Sequence, residues 1–141
     1  MTMATYIYPS FKRDVATGVI DLDTDTFGIM LVTDAYNPAS GHAKRSDVTN
    51  EVAASGTYAA GGSALAGVTA ALSGTDLKFD ANDISWTGAT ITARGAVIYK
   101  RRGGASSADE LVCALTFGSD VSSVSGTYTV QFNASGILTA S

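Results

Sequence analysis

The chain has 141 residues, enough for one domain; 45% are apolar and only 16% charged, against about 25% charged in an average soluble protein. The net charge of -4 and pI near 4.7 argue against a general binder of nucleic acid or of membrane surfaces, which would carry a basic excess. The lone cysteine, Cys113, rules out an intramolecular disulfide, and no apolar run approaches the ~20 residues of a membrane-spanning helix.

Residues 1–10 lack a charged segment followed by an apolar one, so no secretory leader is expected. Tyr6, Ile7, Tyr8 and Pro9 form an apolar arm, either a first strand or a strap. Ser10 as N-cap and Gly18 at C′ bracket a short helix over Phe11 to Ala16. Asp21, Asp23 and Asp25 have the alternate spacing that opens a calcium loop. The sixth and twelfth positions are Thr26 and Val32 instead of Gly and Glu, so the EF-hand pattern fails and a solvated turn is expected.

Phe27 to Thr33 is a nearly continuous apolar run, as in a strand covered on both faces. Residues 34–46 read as an exposed loop that contains His42, the only histidine, expected to be solvated. Ser46 and Asp47 suggest one helical turn with Ser46 as its cap. Residues 53–67 read as a small-residue loop leading into a strand. The two short runs Val68 to Leu72 and Leu77 to Phe79 flank a hairpin turn, Ser73-Gly74-Thr75-Asp76.

The stretch Asp83 to Arg102 holds the only tryptophan, Trp86, then the best strand candidate, Thr90 to Tyr99, then Lys100-Arg101-Arg102. Trp86 is expected in the core. Arg94, mid-strand, wants a carboxylate or a subunit partner if it is not simply facing solvent. Leu111 to Phe117 is a second apolar strand, with Cys113 beside Leu111 and Leu115 as a small hydrophobe. Residues 118–126 read as turn-rich, Thr127 to Phe132 as an alternating strand, and Ile137 to Thr139 as a last short one. The fold class is all-β: a single-domain antiparallel β-sandwich or jelly-roll-like barrel with one or two short helical turns. Residues 1–17 form the arm and short helix, and residues 18–141 the sandwich body.

No catalytic constellation is evident. One histidine and one cysteine leave no zinc site of ordinary ligand type, and no cofactor is expected. Asp80 and Asp83 are close in sequence but lie where Asp forms turns. The glycine pairs Gly61-Gly62 and Gly103-Gly104 match neither a phosphate loop nor a dinucleotide fingerprint. Asn133-Ala134-Ser135 is a formal glycosylation sequon that has no weight without a secretory signal.

Several stretches resemble a family of small virion structural proteins of tailed bacteriophages. They include Ile20-Asp21-Leu22-Asp23-Thr24-Asp25-Thr26, Leu31-Val32-Thr33-Asp34-Ala35-Tyr36-Asn37-Pro38 and Asp47-Val48-Thr49-Asn50-Glu51-Val52. Tyr58-Ala59-Ala60-Gly61-Gly62, Phe79-Asp80-Ala81-Asn82-Asp83-Ile84-Ser85-Trp86, Ala96-Val97-Ile98-Tyr99 and Phe132-Asn133-Ala134-Ser135-Gly136-Ile137-Leu138 also fit, in the same order. The resemblance implies a non-enzymatic decoration (cement) protein on the capsid exterior, made in the host cytoplasm. Its partners would be the major capsid protein or other virion proteins and further copies of itself, not nucleic acid or membrane. Tyr6, Tyr8, Phe11, Arg94, Lys100, Arg101 and Arg102 are the candidate partner-binding residues. The rival expectations are a tail, collar or fibre-attachment protein, a carbohydrate-binding module with Trp86 or tyrosines stacked on sugar, and, weakest, an enzyme.

Overall fold

The computed structural model of the protein describes residues 4–133 and 136–140, the last two through their backbone only. The described residues form β1 (Ala4–Ile7), α1 (Pro9–Ala16), β2 (Phe27–Val32), β3 (Ser63–Ala64), β4 (Thr69–Ser73), β5 (Asp76–Asp80), β6 (Ile84–Lys100), β7 (Leu111–Val130) and β8 (Leu138–Ala140). Short 3-10 turns lie at Arg45–Asp47 and Ser106–Ala108. A five-stranded sheet has the order β1-β7-β6-β2-β3 and a three-stranded sheet the order β4-β5-β8. Every named pairing is antiparallel, so the expected all-β sandwich is what forms.

The main core lies between the sheets. Phe27, Ile29 and Leu31 point into it from β2, while Met30 and Val32 point the other way into a second cluster with Tyr8, Tyr36, Val97, Tyr99 and Leu111. The strand is thus buried on both faces, as its unbroken apolar run predicts. Phe27 meets Phe79 of the small sheet edge-on at 5.3 Å, which ties the two layers together. The hairpin β4–β5 turns through Gly74, whose φ of +66° suits the first position of a two-residue loop.

β6 and β7 form one long irregular hairpin. Register shifts at Trp86/Ala89 and Ala93/Gly95 reset the parity of β6, so Trp86, then Ala89, Ile91 and Ala93, then Ala96 and Ile98 all reach the main core. Without those bulges the strand would turn its apolar side chains to solvent halfway along. Both strands exceed their expected length. β6 starts at Ile84 instead of Thr90, and β7 continues through residues 118–126, expected as turns. Gly118 and Ser119 sit in a register shift, where four residues of β7, 117–120, stand opposite Arg94 alone.

Other corrections are local. The cap of α1 is Tyr8, not Ser10, because Pro9 fits the first helical position, where its missing N–H is not needed. Gly18 takes the left-handed conformation at C′ as expected. Ser46 is inside its 3-10 turn, not at its cap. Leu111 faces the second cluster while Cys113 and Leu115 face the main core, because β7 is bulged at Val112.

Candidate functional site

The N-terminal candidates fold onto their own domain. β1 pairs with β7, Tyr6 opposite Ala114 and Ile7 opposite Cys113. Tyr8 is 0% exposed and Phe11 5%, so in the folded chain neither can reach a partner; only Tyr6 is half-exposed. The Tyr8 hydroxyl shares a 2.7 Å hydrogen bond with that of Tyr36, which in turn lies 2.9 Å from His42 Nδ1. Burial raises the Tyr8 phenol, the Tyr36 hydrogen bond adding to it. His42 is therefore not the solvated loop residue expected. It stacks on Tyr36 at 5.6 Å and pins residues 33–44 over the second cluster.

Trp86 is 1% exposed. Its Nε1–H donates to Ser63 Oγ at 2.9 Å, and its ring packs edge-on against Tyr58 at 5.1 Å. The indole thus offers no open face to a sugar, and Tyr8, Tyr36, Tyr58, Tyr99 and Tyr128 are buried as well. The acids of the turns are similarly engaged. Asp21 Oδ1 accepts from the amides of Asp23 (2.9 Å) and Thr24 (3.3 Å) and Asp80 from that of Ala81, both within local turns, while Asp83 accepts from the distant Phe132 amide; each role is structural. Among the described residues no group of three or more His, Cys, Asp or Glu side chains is arranged to hold a metal ion.

Two surfaces remain on the long hairpin. The first is the outward face of its distal half, β6 84–93 against β7 118–130, where Asp120 is the only charged residue. Its hydroxyls pair across the strands, Ser85 with Thr129 at 2.8 Å and Thr92 with Ser122 at 2.9 Å. The loop at residues 55–57 accepts the free β6 amides, Thr87 N–H to Thr57 Oγ1 and Thr90 N–H to Ser55 Oγ. Val124 stands out of this face, 80% exposed. Arg94 bounds it and donates through Nε to Asp120 at 2.9 Å, the carboxylate that the bulge at 117–120 brings opposite. Arg94 has the carboxylate its mid-strand position called for, in a pair open to solvent on both sides.

The second surface is the closed end of the hairpin, where the basic trio divides. Lys100 Nζ meets Asp25 Oδ2 at 2.9 Å and the Val19 carbonyl at 2.7 Å, and so clamps the 19–25 turn onto β6. Arg102 binds Glu110 Oε1 through Nη2 at 2.9 Å, and Lys44 Nζ meets Glu110 Oε2 at 2.7 Å. Arg45 Nε meets Asp109 Oδ2 at 2.8 Å, and its guanidinium lies over the Tyr99 ring at 5.0 Å. Asp109 and Glu110 are buried, and burial pushes the Glu110 carboxyl up; the hydrogen bonds from Lys44 and Arg102, with their charges, outweigh it and leave the group below its ordinary range. Lys100 and Arg102 are thus structural cations first. Arg101 differs: its Nη1 is buried and meets no hydrogen-bond partner among the described residues.

The pairing of Lys44-Arg45 with Asp109-Glu110 escapes a sequence reading. Two adjacent bases and two adjacent acids are visible, but nothing local says that they meet. Comparison of the chain with protein-family models, with curated proteins and with solved structures gave no match. No described helix is long and apolar enough to cross a membrane.

Proposed function

We propose that the chain is a non-enzymatic structural protein of a tailed-phage virion, a decoration protein that attaches to the outside of the mature capsid and bridges its subunits. The observation that supports this reading is the hydroxyl-lined distal face of the β6–β7 hairpin. It is nearly free of charge, four of its hydroxyls are already fixed in two cross-strand pairs, and it carries one exposed apolar side chain, Val124. Such a face loses little side-chain entropy on docking and leaves few charges to desolvate. The resemblance of the chain, from about Phe11 to Thr139, to phage virion proteins supplies the choice of partner.

The mechanism is binding. Capsid sites repeat, so attachment by symmetric clusters of this chain gains from multivalency, and binding only to the mature lattice stabilises that lattice by mass action. The test is co-sedimentation with mature shells that lack the protein. Saturable uptake of hundreds of copies and a higher temperature of DNA release are expected. Absence of uptake would end the decoration reading, and about a dozen copies or fewer per virion would move the protein to the tail or collar.

A further inference from the structure

A basic side chain in a folded protein ordinarily finds an acid, a carbonyl or water. A buried guanidinium nitrogen with nothing to donate to is uncommon and calls for an explanation, of which an ion or water in the adjoining space is one. Arg101 Nη1 is such an atom. Arg101 is part of the lining of a pocket of about 200 Å³, together with Arg45, Ala60, Gly61, Tyr99, Gly103, Gly104 and Asp109. That space exceeds the ~30 Å³ a single water occupies in the liquid.

The neighbouring charges explain why the vacant donor calls for an anion. Asp109 is held by Arg45 and also accepts the Arg102 amide, Oδ1 to N, at 3.0 Å. Glu110 is held by Lys44 and Arg102. Glu51, beyond Gly61, accepts from the Tyr58 hydroxyl and the Gly61 amide, both at 2.7 Å. The acids in and around the pocket are therefore already paired, Asp109 with the Arg45 of the lining itself, and the Tyr99 hydroxyl donates to the Gly61 carbonyl. The rest of the wall is Ala60 and the glycines 61, 103 and 104, which let a ligand approach closely. A Cβ on Gly61 would lie 3.2 Å from Arg45 Nη1, whereas one on Gly104 would meet nothing within 4 Å. The Arg101 backbone is fixed by the hydrogen bond its N–H donates to the Thr26 carbonyl at 2.8 Å, so the side chain projects from an ordered strand end.

We propose that Arg101, with Arg45 and the Gly103–Gly104 turn, forms a binding site for a single oxyanion, a carboxylate or a phosphate group. A guanidinium presents its donors in a planar fork that matches both groups. A carboxylate would come from an acidic side chain or chain end of a neighbouring protein, and a phosphate from solution. The inference does not depend on the virion reading, since it concerns a pocket of the isolated chain.

The test is a titration of the full chain with sodium acetate and, separately, sodium phosphate, at constant ionic strength, followed by the amide resonances of Gly61, Gly103 and Gly104. Saturable shifts with one or both anions are expected; acetate alone identifies a carboxylate site and phosphate alone a phosphate site. Arg101→Gln should weaken the response by at least about tenfold, the loss of one charge-assisted contact, while the spectrum elsewhere stays that of the folded protein. In a second variant, Gly104→Asp, a tethered carboxylate enters the pocket and should suppress the response to added anion without removing any native side chain. Shifts that stay linear with both anions, or that are equal in the wild type and Arg101→Gln, would overturn the site and leave the nitrogen to water.

Discussion

The two halves of the β6–β7 hairpin are made by the same pair of strands and have opposite surfaces. In the proximal half, residues 95–99 of β6 and 111–115 of β7 are buried on both faces, between the main core and the cluster around Tyr8, Tyr36 and Tyr99. In the distal half only one face is buried, and the other is a row of hydroxyls. The proximal half also ends in the buried acids Asp109 and Glu110, held by Arg45 and by the partly exposed Lys44 and Arg102. Stability is concentrated at one end and free surface at the other. A protein that must hold its shape while presenting a docking face has reason to separate the two.

The largest expected effect lies at the proximal end. Asp109→Ala removes the buried partner of Arg45 and the acceptor of the Arg102 amide, and should destabilise by about 3–5 kcal/mol in denaturant unfolding. Asp109→Asn keeps an acceptor and should lose less, which separates the hydrogen bonds from the charge. Next, Ile98→Ala, in the two-sided part of β6, should lose about 2–5 kcal/mol through the cavity it leaves. Cys113, opposite Ile98, reports on the same region. Burial pushes its thiol up to about 12, so thiol reagents at pH 8 should label it only through unfolding, and faster in Ile98→Ala than in wild type. Rapid labelling of the wild-type chain would break the claim that the proximal half is the rigid end.

How much of this contrast can be read from the residues depends on whether the cause is local. The six apolar residues of β2 announce two-sided burial, because an unbroken run leaves no polar face for water. The turn-formers Gly118, Ser119, Ser125 and Gly126 point to a loop, yet they lie within β7, because β6 supplies a partner ladder and the bulges take up the irregular residues. Trp86 is legible as core, since a lone indole in a β-branched stretch has few other roles. Tyr8 and Lys100 look like surface contacts in one dimension and prove structural because their partners, Tyr36 and Asp25, are distant in sequence; Phe11 is buried in the main core, and Arg102 meets Glu110 only across the hairpin's closed end. The Arg101 pocket is invisible for the same reason, since Arg45, Gly61 and Arg101 meet only after three separate loops converge.

The halves should also differ in their response to acid. Glu110 is held below its ordinary range, as described, and Asp47 is held low by hydrogen bonds from the Ala43 and Lys44 amides. A carboxyl whose folded value is depressed binds fewer protons folded than unfolded. Its contribution is complete above the ordinary carboxyl range, about 4, and is lost as pH falls through the lower folded value. Stability should therefore decline from about pH 5 downward, and Glu110→Gln should flatten that slope while lowering the plateau at neutral pH. An unchanged slope would show that the buried pair does not link the closed end of the hairpin to protonation.

The smallest effects on stability are expected on the distal face, and there the comparison is most exposed to failure. Thr92→Ala removes one hydroxyl of an exposed cross-strand pair, and Val124→Asp alters a side chain that is 80% exposed. Each should change unfolding free energy by no more than about 0.5 kcal/mol, the usual range for surface positions. Neither should change the labelling rate of Cys113. On the decoration reading, Val124→Asp should nevertheless abolish uptake by shells, because a new charge would be desolvated at the centre of the contact. Thr92→Ala should only weaken uptake. If both variants attach like wild type, the hydroxyl face is ordinary solvated surface and the docking surface lies elsewhere. If Val124→Asp unfolds the chain, the distal half carries more of the stability than its one-sided burial implies.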